Sequence, residues 1–99
     1  MKIKGTKNRV AVEGDLIFDN AEKLKQLLLE RVEKITPATP VILDLSGVQD
    51  VDSSGLQLLV AFFKTLQNRG IKSSVNNIPK EMLEILNLSG LDKSFRLGS

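Results

Sequence analysis

Apolar positions first recur with a period of two. Ile3 stands between Lys2 and Lys4, and Val10 and Val12 alternate with smaller or polar neighbours. Gly5-Thr6-Lys7-Asn8 separates the two runs with turn chemistry, so residues 1–14 are predicted to form a β-hairpin. Gly14-Asp15-Leu16-Ile17-Phe18 then crosses into a helix, with Asp19 and Glu22 spaced as in a capping box. Ala21, Leu24, Leu28, Val32 and Ile35 keep helical spacing, with Leu27 on the same face and Lys23, Lys25, Arg31 and Lys34 on the outer side. Pro37 and Pro40 end that helix, because proline disfavours the helical region in the residue before it.

The pattern then changes. Val41-Ile42-Leu43 with Leu45 is a near-continuous apolar run, which predicts a strand buried on both faces of a parallel or mixed sheet. A polar loop from Ser46 to Gly55 leads into a second helix carrying Leu56, Leu59, Val60, Phe63 and Leu66 inward and stopping at Gly70. Ile71, Ser73 and Val75 alternate as a strand, and Asn76-Asn77 turns the chain. Pro79 opens a third helix with Met82, Leu83 and Leu86 apolar, closed between Asn87 and Gly90. A tail from Leu91 to Leu97 is expected to be pinned by Phe95. The order predicts an α/β fold, a mixed sheet of about four strands covered by helices, with right-handed crossovers. At 99 residues the chain is expected to be one domain, 1–99.

Composition narrows the chemistry. The chain has no Cys, His, Trp or Tyr, and only four Phe. Disulfides, thiolate zinc sites and a cysteine nucleophile are excluded, as are a histidine general base and a phosphohistidine relay. Four aromatics argue against a base-stacking surface for single-stranded nucleic acid. The net charge is +2, but Lys2, Lys4, Lys7 and Arg9 supply four of the 14 bases, and the rest of the chain holds more acids than bases. Those lysines read as protection of an edge strand, and no basic face for nucleic acid is visible. No apolar run reaches the ~18 residues of a membrane span, and the start lacks a signal-peptide core, so no membrane insertion and a cytoplasmic location are expected.

The loop before the second helix is the candidate site, since sites in α/β sheets form where a strand end leads into a helix N-terminus. Asp50, Asp52, Ser53 and Ser54 gather there, and Gly55 permits close approach by another backbone or a ligand. Ser54 with Gln57 spells a capping box, and Asp52 is itself a good N-cap. Ser53 is the polar residue that capping leaves over. A serine nucleophile would need a base, and nothing in the spacing of Lys64, Lys72 or Lys80 supplies one. Asp44, Asp50 and Asp52 could bind Mg²⁺ as receiver-domain acids do. The chain has too few strand-helix units for that fold, and capping and solvation explain these acids better. No metal or cofactor is expected.

Taken together, Val41-Ile42-Leu43-Asp44-Leu45-Ser46-Gly47-Val48 and Val51-Asp52-Ser53-Ser54-Gly55-Leu56 resemble the signature of STAS domains, the fold of bacterial anti-sigma factor antagonists. Gly14-Asp15-Leu16 through Leu24, Gly70-Ile71 with Val75, and Leu86-Asn87-Leu88-Ser89-Gly90-Leu91 match further segments, so the resemblance spans nearly the whole chain. It implies a non-enzymatic regulator whose Ser53 is phosphorylated by a cognate anti-sigma factor kinase and reset by a serine phosphatase. It also implies a contact patch of Asp50, Val51, Asp52, Ser53, Ser54, Gly55, Leu56, Gln57, Val60 and Lys64. The alternatives are a small STAS protein docked on the ATPase of an ABC lipid-transport system, or another STAS signalling module that serves no sigma factor. One departure stands out: Ile17, followed by Phe18, occupies a place where the family often has an acid. At least one of the pair is expected to pack into the core.

Overall fold

Lys2–Lys4 (β1) and Arg9–Glu13 (β2) pair antiparallel, with Ile3 opposite Val12, in this computed structural model, which describes residues 1–6, 8–36 and 38–89. The predicted hairpin is therefore present. Its turn depends on Gly5, whose φ is +92° and whose missing Cβ leaves room for the Arg9 carbonyl oxygen. Val41–Gly47 (β3) runs parallel to β2, and Ser73–Asn76 (β4) parallel to β3, giving the sheet order β1-β2-β3-β4. Ala21–Val32 (α1), Ser53–Asn68 (α2) and Lys80–Ser89 (α3) complete the fold.

One face of the sheet is fully buried. Val10, Val12, Val41, Leu43, Leu45 and Val75 pack with Leu24, Leu28 and Val32 of α1 and with Leu56, Leu59, Val60, Phe63 and Leu66 of α2. The opposite face is not equally covered: Ile42 and Asp44 are half-buried, so β3 alternates rather than being buried on both sides. The reason is register. Asp44 lies beside Ala11 and Asn76 across the sheet, and its carboxylate binds Arg9 (3.3 Å) and Asn77 Nδ2 (3.0 Å), a polar lattice an apolar layer would leave unsatisfied. Phe62 and Val48 are further core residues that the periodicity did not single out. Phe62 sits edge-on to Phe63, ring centroids 6.3 Å apart at 72°.

Helix ends follow local chemistry in one place and depart from it in another. Gly70, at φ +72°, ends α2 in a Schellman motif: its N–H donates to Gln67 O (3.0 Å) and that of Ile71 to Leu66 O (2.9 Å). The start of α1 is different. Asp19 does not cap it; Phe18–Asn20 forms a 3-10 turn, and Asn20 precedes the helix without a side-chain cap. Asn20 Nδ2 donates instead to Asp15 O (2.8 Å), which ties down the incoming loop. The helix also ends earlier than predicted, at Val32, while Ile35 stays buried from the following turn. Met82 is buried as expected, but Leu83 is 37% exposed. The Leu86 side chain, the helix closure at Gly90 and the tail with Phe95 lie outside the described residues.

Candidate functional site

Adjacent parallel strands bring two loops together. Gly14 N–H, at the end of β2, donates to Gly47 O (3.1 Å) at the end of β3, so residues 14–20 and 48–52 leave the sheet side by side. Leu16 fastens them. Its N–H donates to Asp50 O (2.8 Å), its carbonyl accepts from Asp52 N–H (2.9 Å), and its side chain is fully buried. Asp15 Oδ1 accepts a further bond from Asp50 N–H (3.2 Å).

Asp52 is the N-cap of α2. Its Oδ1 accepts from Gly55 N–H (3.1 Å), while its Oδ2 accepts from Phe18 N–H (2.9 Å) on the other loop. The Ser54–Gln57 capping box is thus not used; Ser54 is the second residue of the helix. The same hydrogen bonds, from Phe18 first and then Gly55 and Ser54, hold the Asp52 carboxyl below the usual carboxylate range. Asp44 is also lowered, mainly by Asn77 and then by the Ser46 N–H. Asp44 is engaged on the polar sheet face, and no group of three or more acids able to hold a metal ion occurs among the described residues.

The shift at Asp52 has a testable consequence. A carboxyl whose folded pKa is depressed adds stability above its unfolded pKa, about 3.9, and loses it as pH falls through the folded value. Asp52→Ala is expected to lower stability by about 1–2 kcal/mol at neutral pH. Urea unfolding across a pH series should show the gap from wild type narrowing below about pH 3.9. A gap independent of pH would show that the carboxylate charge is not what caps the helix.

Ser53, first residue of α2, is exposed, as are Asp50 and Gln57. Val51, Asp52 and Ser54 are half-buried. Three members of the predicted patch belong to the interior instead. Gly55 is buried, Leu56 is fully buried, and Val60 is 6% exposed. Leu56 and Val60 turn toward the sheet because α2 packs down on Leu43 and Leu45, so they support the surface from beneath. Gly55 is required by contact: a Cβ there would lie 2.1 Å from Leu16 O.

The Ile17-Phe18 pair reverses expectation. Leu16 takes the core position, Ile17 is half-buried, and Phe18 is 71% exposed at the rim of the site. Its exposure follows from the 3-10 turn, which Asn20 N–H closes by donating to Ile17 O (2.9 Å). An apolar groove of about 150 Å³ between α1 and α2 is lined by Leu28, Leu29, Val32, Leu58, Ala61 and Phe62 with Lys25 and Thr65, none of them from the Ser53 loop. It is smaller than the roughly 300–1,000 Å³ of typical small-molecule pockets.

The STAS domain family matches residues 2–99, almost the entire chain. This chain belongs to the STAS domain family. Its fold is similar to that of an anti-sigma factor antagonist from Mycobacterium paratuberculosis, with 27% identity and a TM-score of 0.77 over 96% of this chain and 80% of that one. It is also similar to a chain of the Acinetobacter MlaFEDB complex in an ATP-bound conformation, at 25% identity and TM-score 0.79, covering 96% of this chain and 98% of that one. A putative anti-sigma factor antagonist from Thermotoga maritima shares the fold at 21% identity and TM-score 0.76, over 96% of this chain and 82% of that one. Among the described residues of this STAS domain, no helix is long and apolar enough to cross a membrane.

Proposed function

We propose that this STAS domain is a non-enzymatic partner-switching regulator of the anti-sigma factor antagonist kind, acting in the cytoplasm. With a free Ser53 hydroxyl it binds an anti-sigma factor kinase; phosphorylation of Ser53 by that kinase releases it, and a serine phosphatase restores binding. The observation that carries this reading is the division of labour at the start of α2. Asp52 caps the helix, which leaves Ser53 exposed at the first helical position with no structural duty assigned to it.

Phosphoserine adds about −1.5 to −2 charge at pH 7. The positive end of the helix dipole tolerates that charge, so the fold need not rearrange. Beneath a dry interface beside Asp50 and Asp52, the same charge opposes contact through desolvation and like-charge repulsion.

A second reading is a constitutive adaptor docked on the ATPase of an ABC lipid-transport system. The nearly end-to-end match to a chain of the MlaFEDB complex favours it, as does Ile17 where antagonists often carry an acid. Affinity measurements with purified candidate partners, comparing wild type, Ser53→Ala and Ser53→Asp, separate the two. Partner switching predicts that Ser53→Asp weakens binding to an anti-sigma factor by roughly 30-fold or more, while Ser53→Ala binds as wild type does. Equal binding by all three proteins to a transporter ATPase would favour the adaptor and defeat the switch.

A further inference from the structure

Leu29 is a large apolar side chain left outside the core. It sits within α1 and is 59% exposed, whereas Leu24, Leu28 and Val32 of the same helix are buried. It also stands beside a recess. Leu29 lines the apolar groove of about 150 Å³ between α1 and α2, together with half-buried Leu58, exposed Ala61 and buried Phe62 of α2. A protruding aliphatic side chain next to a groove of side-chain size is what helix packing uses, the ridge of one surface filling the groove of another.

The charges along this ridge have an order. Lys25, Leu29 and Glu33 are spaced i, i+4, i+8, and Glu33 keeps helical geometry just past the end of α1 (φ −67°, ψ −18°). The three therefore make one ridge with the leucine at its centre. Among the described residues Lys25 has no ion-pair partner, while Glu33 is exposed and meets Arg69 at 3.6 Å. Glu22, seven residues before Leu29, is the other charge on this side of α1. Lys23 and Glu30 lie about 100° or more round the helix from Leu29, and Lys64 is about 200° round α2 from Phe62. The face thus carries Glu22 and Glu33 against Lys25 and Arg69, with no net sign. Its total charge selects no partner, but its order does. Basic, apolar, acidic becomes acidic, apolar, basic when reversed end to end, so the ridge is complementary to its own antiparallel copy.

We propose that this α1–α2 face is the contact of a symmetric dimer, and that its occupant is a second copy of this chain. The two α1 helices cross antiparallel about a two-fold axis at Leu29, with their ridges side by side at the angle of about 50° usual for such rows. Leu29 of each protomer enters the groove of the other. Lys25 of each protomer meets Glu33 of the other, so the same ion pair forms twice, and Arg69 holds the Glu33 carboxylate from within its own chain. None of the groove residues belongs to the Ser53 loop, so this dimer is independent of the proposed switch.

Sedimentation velocity of the whole chain, from low micromolar to sub-millimolar concentration, tests this. Interference optics are needed, because the chain has no Trp or Tyr to absorb. Wild type is expected to show a concentration-dependent dimer, and Leu29→Asp to weaken it at least roughly 30-fold, a hot-spot-sized loss. Lys25→Glu and Glu33→Lys should each weaken it too, since each sets like charges across the axis twice. An equimolar mixture of those two variants should dimerise again, because each then offers the charge that the other lacks. All three positions are exposed, so circular dichroism of the variants should match wild type. A monomer over the whole concentration range would overturn the proposal. So would a dimer indifferent to Leu29→Asp, or a mixture of the two charge variants no more associated than either alone.

Discussion

Gly55→Ala is expected to destabilise the protein by about 3 kcal/mol, although it adds a good helix former to α2. Two effects compete. Alanine in a helix is favoured over glycine by about 1 kcal/mol. Against that, the new Cβ would stand 2.1 Å from Leu16 O and 2.3 Å from its carbonyl carbon, both backbone atoms that cannot swing aside. The clash wins, because Leu16 is fixed by hydrogen bonds to Asp50 and Asp52 and by a fully buried side chain. For a domain this size the melting temperature should drop by roughly 12–24 °C. Relief of the clash requires the two loops to part, which breaks the Asp52–Phe18 bond as well. Thermal and urea unfolding check the stability, and the amide shift of Phe18 checks the loop. A variant as stable as wild type would mean that the loops separate at no cost.

Phe63→Ala is expected to cost about 3–5 kcal/mol. Phe63 is 2% exposed at the centre of the α2 face that packs on the sheet, and it holds the edge-on contact with Phe62. Small domains are stable by about 5–15 kcal/mol in all, so this one truncation removes a large share. Phe63→Leu, which keeps most of the volume, should cost less than half as much. Guanidinium titrations of the two variants decide the matter. Equal losses would point to the ring contact rather than to the cavity. Losses under 1 kcal/mol in both would mean that α2 repacks freely.

Local chemistry carried much of the architecture. Gly5 and Asn8 mark the hairpin turn, Gly70 marks the end of α2, and Pro79 precedes α3; each acts through its own backbone geometry, so each is readable from neighbours in the chain. The site loop was legible for a similar reason, since a row of capping residues before an apolar helix has few other uses. Which residue caps was not legible. Asp52 and Ser54 are both competent, and the choice fell to Asp52 because its second oxygen also meets Phe18 N–H, a partner 34 residues away. The inward stripe of α2 was legible: its spacing picks out Leu56, Leu59, Val60, Phe63 and Leu66, all of them buried, and Phe62 beside that stripe is the one the spacing missed.

The sequence by itself determined the element order, the mixed α/β sheet, the exclusion of cysteine and histidine chemistry, and Ser53 as the serine that capping does not need. These depend on spacing and on what residue types can do, both of which are local. Tertiary structure alone decided that Leu16 rather than Phe18 enters the core and that Asp52 joins two loops. Those outcomes depend on β2 and β3 running parallel in one register, which sets the two loops against each other and leaves an aromatic ring beside Ser53 facing solvent.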